Sequence, residues 1–234
     1  MQLYCVRIEK LRAGAQRRGG LIAVRQQLAQ ELLDDDAGTP QEVNRSLAEL
    51  WWINRHLGGL SSWRQLLHAA QIAPATWLDV GSGRGELAAL LAQMSGAQVV
   101  MLDRRTSHLG ASGCRVAGDA LQLPFTDASF DVVTCNLFLH HFHGDMARQL
   151  LAEMRRVARR AVLINDLERA WIPYWFIRLL AARFSRITRY DGPRSVRQAY
   201  TAAELDQLAQ PWPHKVLRLS HYRVGLILWC NRDL

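Results

Sequence analysis

The chain has 234 residues, 49% of them apolar and 21% charged, enough apolar material for one sizeable domain with an appendage and too much for a disordered chain. A net charge of +8 and a pI near 9.9 admit nucleic acid, an anionic membrane surface or an acidic protein as partner, yet no apolar run approaches the roughly 20 residues that span a bilayer. Four widely spaced cysteines (Cys5, Cys114, Cys135, Cys230) and eight histidines without metal-ligand spacing exclude a disulfide framework and a zinc site, fit a reducing cytoplasm and predict no metal.

The first 20 residues read as a basic leader without a signal-peptide core, so secretion is not expected. LIAVRQQLAQELLDD (21–35) has amphipathic spacing and predicts a helix. Thr39-Pro40 is a cap followed by proline at the first helical position, and Gly58-Gly59 ends that second helix. Ser61 or Ser62 caps a third, SSWRQLLHAAQ, which stops before Pro74. Residues 1–72 thus read as an N-terminal helical extension, and 73–234 as the main domain.

From Ala75 strands and helices alternate. TWLDV is a buried strand, GELAALLAQM a helix, AQVVMLD a second strand, CRVAGDA a weaker third, and SFDVVTCNLFLHH opens as a fourth. DMARQLLAEMRRVA is a helix with Leu150, Leu151, Met154 and Val157 inward, and RAVLIND is a fifth strand. A helical insert at about 167–198 follows, with Trp171, Trp175, Leu179 and Ala182 recurring at helical spacing and Tyr174, Phe176 and Phe184 nearby. Most of that stripe is expected to pack as core. YTAAELDQLA carries a capping box, Thr201 with Glu204, and HKVLRLSHYRVGLILWCNR gives two strands too close together for a parallel crossover. The expected fold is α/β: a Rossmann-like, seven-stranded, mostly parallel sheet with an antiparallel C-terminal edge hairpin.

Gly81-Ser82-Gly83-Arg84-Gly85 lies where the first strand meets its helix, a place where backbone N–H groups face a crevice and glycine admits close approach of a ligand. The spacing departs from GxGxxG, Glu86 stands where a pyrophosphate would prefer no acid, and no Gly-Lys-Ser/Thr follows, so neither a dinucleotide loop nor a P-loop is expected. Acids on both sides, Asp79 and Glu86, suit a cofactor without phosphates that carries positive charge. Asp103, closing the second strand, is placed to accept two ribose hydroxyls.

The stretch from about Thr76 to Asp166 resembles the class I S-adenosylmethionine-dependent methyltransferases, in particular the ubiquinone/menaquinone and natural-product O-methyltransferase subgroup. LDVGSGRGELAALLA, VVMLDR and GDALQLPFTDASFDVVTCNLFLHHF carry the likeness, in order and at the expected intervals. The resemblance implies that Asp79 and the loop residues Gly81, Ser82, Gly83 and Gly85 hold the methionine end of S-adenosylmethionine, whose product is S-adenosylhomocysteine. It implies Asp103 and its neighbour Arg104 at the ribose, Asp119 and Ala120 beside the adenine, and Asn136 under the sulfonium. Gly118-Asp119 reads equally well as a strand-end turn, and Asp131 reads as a structural turn residue.

Methyl transfer from a sulfonium is an in-line displacement that must also take a proton from a hydroxyl acceptor. His140 and His141, after the fourth strand, are candidate bases, with Asp166 as the residue that orients them; either ring could instead be a packed structural histidine, and His143 reads as solvated. The expected activity is O-methylation of a hydrophobic small molecule, phenolic, polyketide-like or quinone-like, in the cytoplasm. A nucleic-acid acceptor is disfavoured because no RNA-binding module and no Asn/Asp-Pro-Pro-Tyr sequence is present. An RNA or protein methyltransferase and a cofactor-binding protein without catalysis are the competing readings. Arg178, Arg183, Arg186 and Arg189 beside the aromatic insert make an anionic membrane or an acidic carrier protein a candidate contact, and Trp51-Trp52 a candidate dimer surface.

Overall fold

A computed structural model describes residues 24–35, 37–105, 108–109 and 113–230. The leader, Cys5, Arg17-Arg18 and the first residues of the 21–35 segment lie outside the described residues.

Two helices, α1 (Pro40–His56) and α2 (Gly59–Ala70), precede the sheet. Thr39 and Glu42 form the capping box that starts α1, behind which Pro40 enters the first turn. Gly58, at φ +90°, caps α2, so this helix begins three or four residues earlier than a cap at Ser61 or Ser62 would place it. The sheet comprises β1 (Thr76–Val80), β2 (Gln98–Asp103), β3 (Cys114–Ala117), β4 (Phe130–Asn136), β5 (Ala158–Leu167), β6 (His214–Leu219) and β7 (Arg223–Trp229). Its order is β3-β2-β1-β4-β5-β7-β6, with β7 antiparallel to both neighbours and the remaining pairs parallel. This is the expected mixed sheet, with β6 and β7 as its edge hairpin. The order reverses between β1 and β4, which opens a crevice at their carboxyl ends.

The central strands read as nearly unbroken apolar runs because both faces are buried. Leu78, Val80, Val133, Val162 and Ile164 point to one face, under α4 (Asp145–Val157) and α7 (Ala202–Ala209), with Leu150, Leu151, Met154 and Val157 packed as expected. Trp77, Val132, Ala161 and Leu163 point to the other, where α2 supplies Trp63 and Leu66 and α3 (Glu86–Ser95) supplies Leu87 and Leu91. α2 is therefore part of the main core. Asp131 acts as the structural residue it was read to be: its carboxylate accepts from the amides of Ala75 (2.8 Å) and Thr76 (3.1 Å) and pairs with Arg159.

Two expectations fail. Residues 24–31 have no regular structure and 32–35 form a turn, so no helix occupies the described part of 21–35. Its backbone amides are claimed from elsewhere: Ala29 donates to the Gln198 side chain, and Leu32 and Leu33 donate to the two Asp191 oxygens. Both acceptors sit on α6 (Arg186–Gln198), and these tertiary bonds override the local periodicity.

The second concerns α5 (Trp171–Leu180). Tyr174, Ile177 and Ala181 turn inward toward α6, where a Cβ on Gly192 would stand 2.9 Å from Ile177. Trp171, Trp175, Leu179 and Ala182 occupy the opposite side, and Trp175 is 50% and Leu179 77% exposed. α5 is apolar all round, so spacing alone did not distinguish the packed face from the open one.

Candidate active site

The glycine loop lies at the head of β1. Gly81 and Ser82 both direct their amides to the Leu102 carbonyl, fastening the loop to β2 (2.8 and 3.1 Å). Gly81 has φ +68°, and a Cβ there would stand 2.4 Å from the Phe138 ring. Gly83, at φ +51°, faces open space, as a backbone cradle for a ligand must. Asp103 ends β2 with one carboxylate oxygen accepting from the Gly83 amide and the other from the Arg105 amide, both at 3.0 Å. Each oxygen retains a lone pair, so the carboxylate can brace the loop and still accept hydroxyls.

Asp79 is buried and one of its oxygens accepts from Thr134 at 3.2 Å, while the other has no partner. Burial, with Asp103 nearby, pushes its carboxyl up to about 7 although Thr134 opposes the rise. A buried acceptor without a donor is costly unless a ligand completes it, and an ammonium or sulfonium group suits it. The Ser82 hydroxyl, in the loop that follows, is also buried and without a partner. This donor and acceptor set fits the methionine end of S-adenosylmethionine.

The other cofactor residues are placed less uniformly. Arg104 is exposed just beyond β2. Asp119 is exposed and accepts from the Leu121 amide at 2.9 Å, the turn geometry that competed with an adenine role, and Ala120 is buried. Asn136 ends β4, and its side-chain oxygen accepts from the Trp63 indole (2.9 Å) and from Asn165 (3.0 Å). That oxygen is thus committed to holding α2 and β5 together beneath the crevice.

The histidines follow β4 in a 3-10 turn, Leu139–His141. Adjacent side chains diverge on most backbones; this tight turn brings the two rings together, with centroids 4.3 Å apart. His140 is buried, with Nδ1 2.7 Å from Asp166 and its backbone amide donating to the other Asp166 oxygen at 3.0 Å. Burial works against a charged Asp166, but His140 and the surrounding hydrogen bonds hold its carboxyl below the usual range. An ionised carboxylate only accepts, so Nδ1 is the donor in this pair and Nε2 is the ring nitrogen left facing Glu31. His141 repeats the arrangement, with Nδ1 3.1 Å from Asp34. His143, read as solvated, is half-buried, bonded to the Gln198 carbonyl and stacked on Tyr200, and burial holds its pKa down.

Sequence reasoning missed Glu31 and Asp34. Glu31 is buried, accepts from Ser195 (2.7 Å) and Gln198 (2.8 Å), and stands 3.9 Å from His140 Nε2. That gap is too long for a direct hydrogen bond and suits a bridging hydroxyl or water. Burial pushes the Glu31 carboxyl up to about 7, with His141 pulling the other way. One ligand-type atom from each of Glu31, His140 and His141 falls within 4.8 Å of the others, so the reason for excluding a cation by spacing does not hold here.

The raised carboxyl makes stability depend on pH. Between the ordinary value of 4.5 and about 7 the folded chain keeps a proton on Glu31 that the unfolded chain releases, so this contribution is present at acid pH and lost as pH rises through 7. Glu31→Gln keeps an acceptor for Ser195 and Gln198 but cannot ionise. Thermal melts from pH 5 to 8 should show the variant gaining on the parent as pH rises, by at most about 3 kcal/mol. Parallel curves would show that Glu31 does not titrate in this range.

Residues 78–164 match a family model described as a methyltransferase domain. A demethylmenaquinone methyltransferase of Deinococcus radiodurans is 37% identical over 139 residues, covering 53% of this chain and 57% of that protein. A ubiquinone/menaquinone biosynthesis C-methyltransferase of Dinoroseobacter shibae is 32% identical over 158 residues, covering 60% and 62%. The chain spans about half the length of the curated relatives it matches first. Among solved structures, the plantazolicin methyltransferase in complex with a triazolic analogue and S-adenosylhomocysteine aligns with a TM-score of 0.66 at 12% identity, over 85% of this chain and 93% of that one. A SAM-dependent methyltransferase from Aquifex aeolicus aligns at 0.59 and 16%, over 82% and 99%. At these identities the structural matches bear on the fold alone, and the fold they share is Rossmann-like.

Proposed function

We propose that this chain, built around a class I S-adenosylmethionine-dependent methyltransferase domain, methylates a hydroxyl of a hydrophobic phenolic or quinol-like small molecule. The observation that carries the reading is the buried, unpartnered Asp79 oxygen at the foot of the Gly81–Gly85 loop, with Asp103 bracing that loop from the neighbouring strand. S-adenosylmethionine supplies an electrophilic methyl on a sulfonium. Asp79 and the loop would hold its amino-acid end and Asp103 its ribose.

The protein's own part in the chemistry is proton handling and exclusion of water. Asp166 holds the His140 ring through Nδ1, and Nε2 would take the acceptor's proton as the oxygen receives the methyl that the bound cofactor would supply. Glu31 faces the same nitrogen across the gap, and burial, by raising its carboxyl to about 7, disfavours a second buried negative charge there. α6 packs against the histidine turn, which supports an acceptor-side role for the insert.

Calorimetry with S-adenosylmethionine and S-adenosylhomocysteine, followed by methyl transfer to a panel of quinols and alkylphenols, tests this. Failure of a well-folded protein to bind either nucleoside would overturn it. A second reading, methylation at ring carbon, is favoured by the relative described as a C-methyltransferase. The same deprotonation serves it, because a phenolate is nucleophilic at oxygen and at ring carbon. Product NMR separates the two by methyl shift. Excess absorbance at 260 nm in the purified protein would favour a nucleic-acid acceptor instead.

Turnover is expected to survive exhaustive treatment with EDTA unchanged. Loss of activity restored by a divalent ion would make Glu31, His140 and His141 a ligand set in place of an acid–base cluster.

A further inference from the structure

α5, α6 and the segment before α1 enclose a cavity of about 480 Å³ whose lining includes Arg178, Arg189, Arg194 and Arg197 together with Gln27 and Tyr174, and no carboxylate. From Trp171 to Tyr190 the sequence has no acidic residue. Two acids near these helices are engaged elsewhere: Asp191, which interacts electrostatically with Arg194, accepts from the Leu32 and Leu33 amides, and Glu31 accepts from Ser195 and Gln198. Elsewhere arginines are neutralised, as in Arg159–Asp131, Arg169–Glu204 and Arg218–Glu168. Among the described residues, none of the four cavity arginines forms an ion pair with a carboxylate.

Three of these guanidiniums are held by hydroxyl, carbonyl or ring contacts and none by a carboxylate within ion-pair distance. Arg178 donates to the Tyr174 hydroxyl at 3.1 Å and stacks on Trp175, Arg194 donates to the Tyr190 carbonyl and lies 3.3 Å over that ring, and Arg197 lies over Tyr174. The Arg197 Nε is buried without a partner. Four like charges around one concavity repel one another until an anion enters, and guanidinium forks match phosphate oxygens in pairs.

The same helix that lends Tyr174 and Arg178 to the cavity exposes Ile172, Trp175, Phe176 and Leu179 on its open face, and Arg178 stacks on Trp175 between the two. Apolar and indole side chains next to a cationic site are the pattern of a helix lying in the plane of a lipid headgroup layer. No described helix is long and apolar enough to cross a membrane, so contact would be peripheral.

We propose that the α5–α6 cavity binds the phosphate of an anionic phospholipid while the exposed α5 face enters the acyl-chain boundary, docking the protein on an anionic membrane. The exposed apolar face of the same helix selects a lipid phosphate over a free one. This inference does not depend on the methyl-transfer reading.

Flotation with phosphatidylcholine vesicles, with and without about a third phosphatidylglycerol, tests it at low and high salt. Expected is binding to the anionic vesicles alone, weakened at least tenfold at high salt. Arg178→Glu with Arg189→Glu, both at exposed positions, should lower it at least tenfold, and so should Leu179→Glu, each with an unchanged melting temperature. Absence of binding at low salt would overturn the proposal. So would equal binding to neutral vesicles, or arginine variants that float like the parent. Saturable stabilisation by inorganic phosphate without flotation would overturn it in favour of a free-anion site.

Discussion

Replacing His140 by Gln is expected to lower kcat by about 10²–10⁴-fold, the usual contribution of a positioned general base, while S-adenosylmethionine affinity changes little. The ring is buried on the Asp166 carboxylate with His141 and Glu31 as its other neighbours, so proton transfer and cofactor binding should separate. Asp166→Asn should act in the same direction. Its amide can turn a donor toward Nδ1, which reverses the tautomer and ties up the lone pair that the acceptor needs. The double variant should be scarcely worse than either single one, because the two residues act as a unit. Single-turnover rates and calorimetry on the same preparations give both quantities. A kcat within a few-fold of the parent in both variants would place the base elsewhere, His141 with its Asp34 partner being next in line.

Asp79→Asn is expected to weaken both S-adenosylmethionine and S-adenosylhomocysteine by about 10–100-fold at pH 8, where the parent carboxylate is ionised. Both nucleosides carry the ammonium, so both should lose affinity, whereas contact with the sulfonium alone would spare the product. The Thr134 hydroxyl keeps an acceptor in the variant, so the core should remain intact. pH supplies a second readout. With the free-state carboxyl near 7, binding a cation requires loss of that proton, so parental affinity should fall as pH drops below 7 and level off above it. The slope should vanish in Asp79→Asn. Equal slopes for the two proteins would remove Asp79 from the binding site.

What the sequence disclosed was what local chemistry governs. Thr201 with Glu204, and Thr39 with Pro40, announce helix starts through bonds made within one turn, and both caps form. The alternating glycines stand where strand becomes helix, and Gly81 and Gly83 take the positive φ that makes them necessary. What stayed hidden depends on partners far along the chain. Glu31 is defined by Gln198, 167 residues away, and Asp34 by His141, 107 residues away. Without those partners both look like solvated acids in an amphipathic run, and the run looks like a helix. The His140-His141 pair was legible as chemistry but not as geometry, because only the 3-10 turn decides whether neighbouring rings part or meet. Asn136 was legible as the residue that closes β4, while the indole of Trp63 that fixes it lies on a helix that spacing had assigned to an appendage.

The stretch bearing Glu31 and Asp34 is moored to α6 chiefly by side chains, with Asp191 and Gln198 doing most of the fastening. Slipping a handful of such ties costs far less than parting a strand from the sheet. A bulky greasy molecule could therefore be admitted by casting off this mooring while β1 and β4 stay rigid. Re-berthing would restore the carboxyl opposite His140 only after loading, so the reactive constellation would exist mainly with water already shut out.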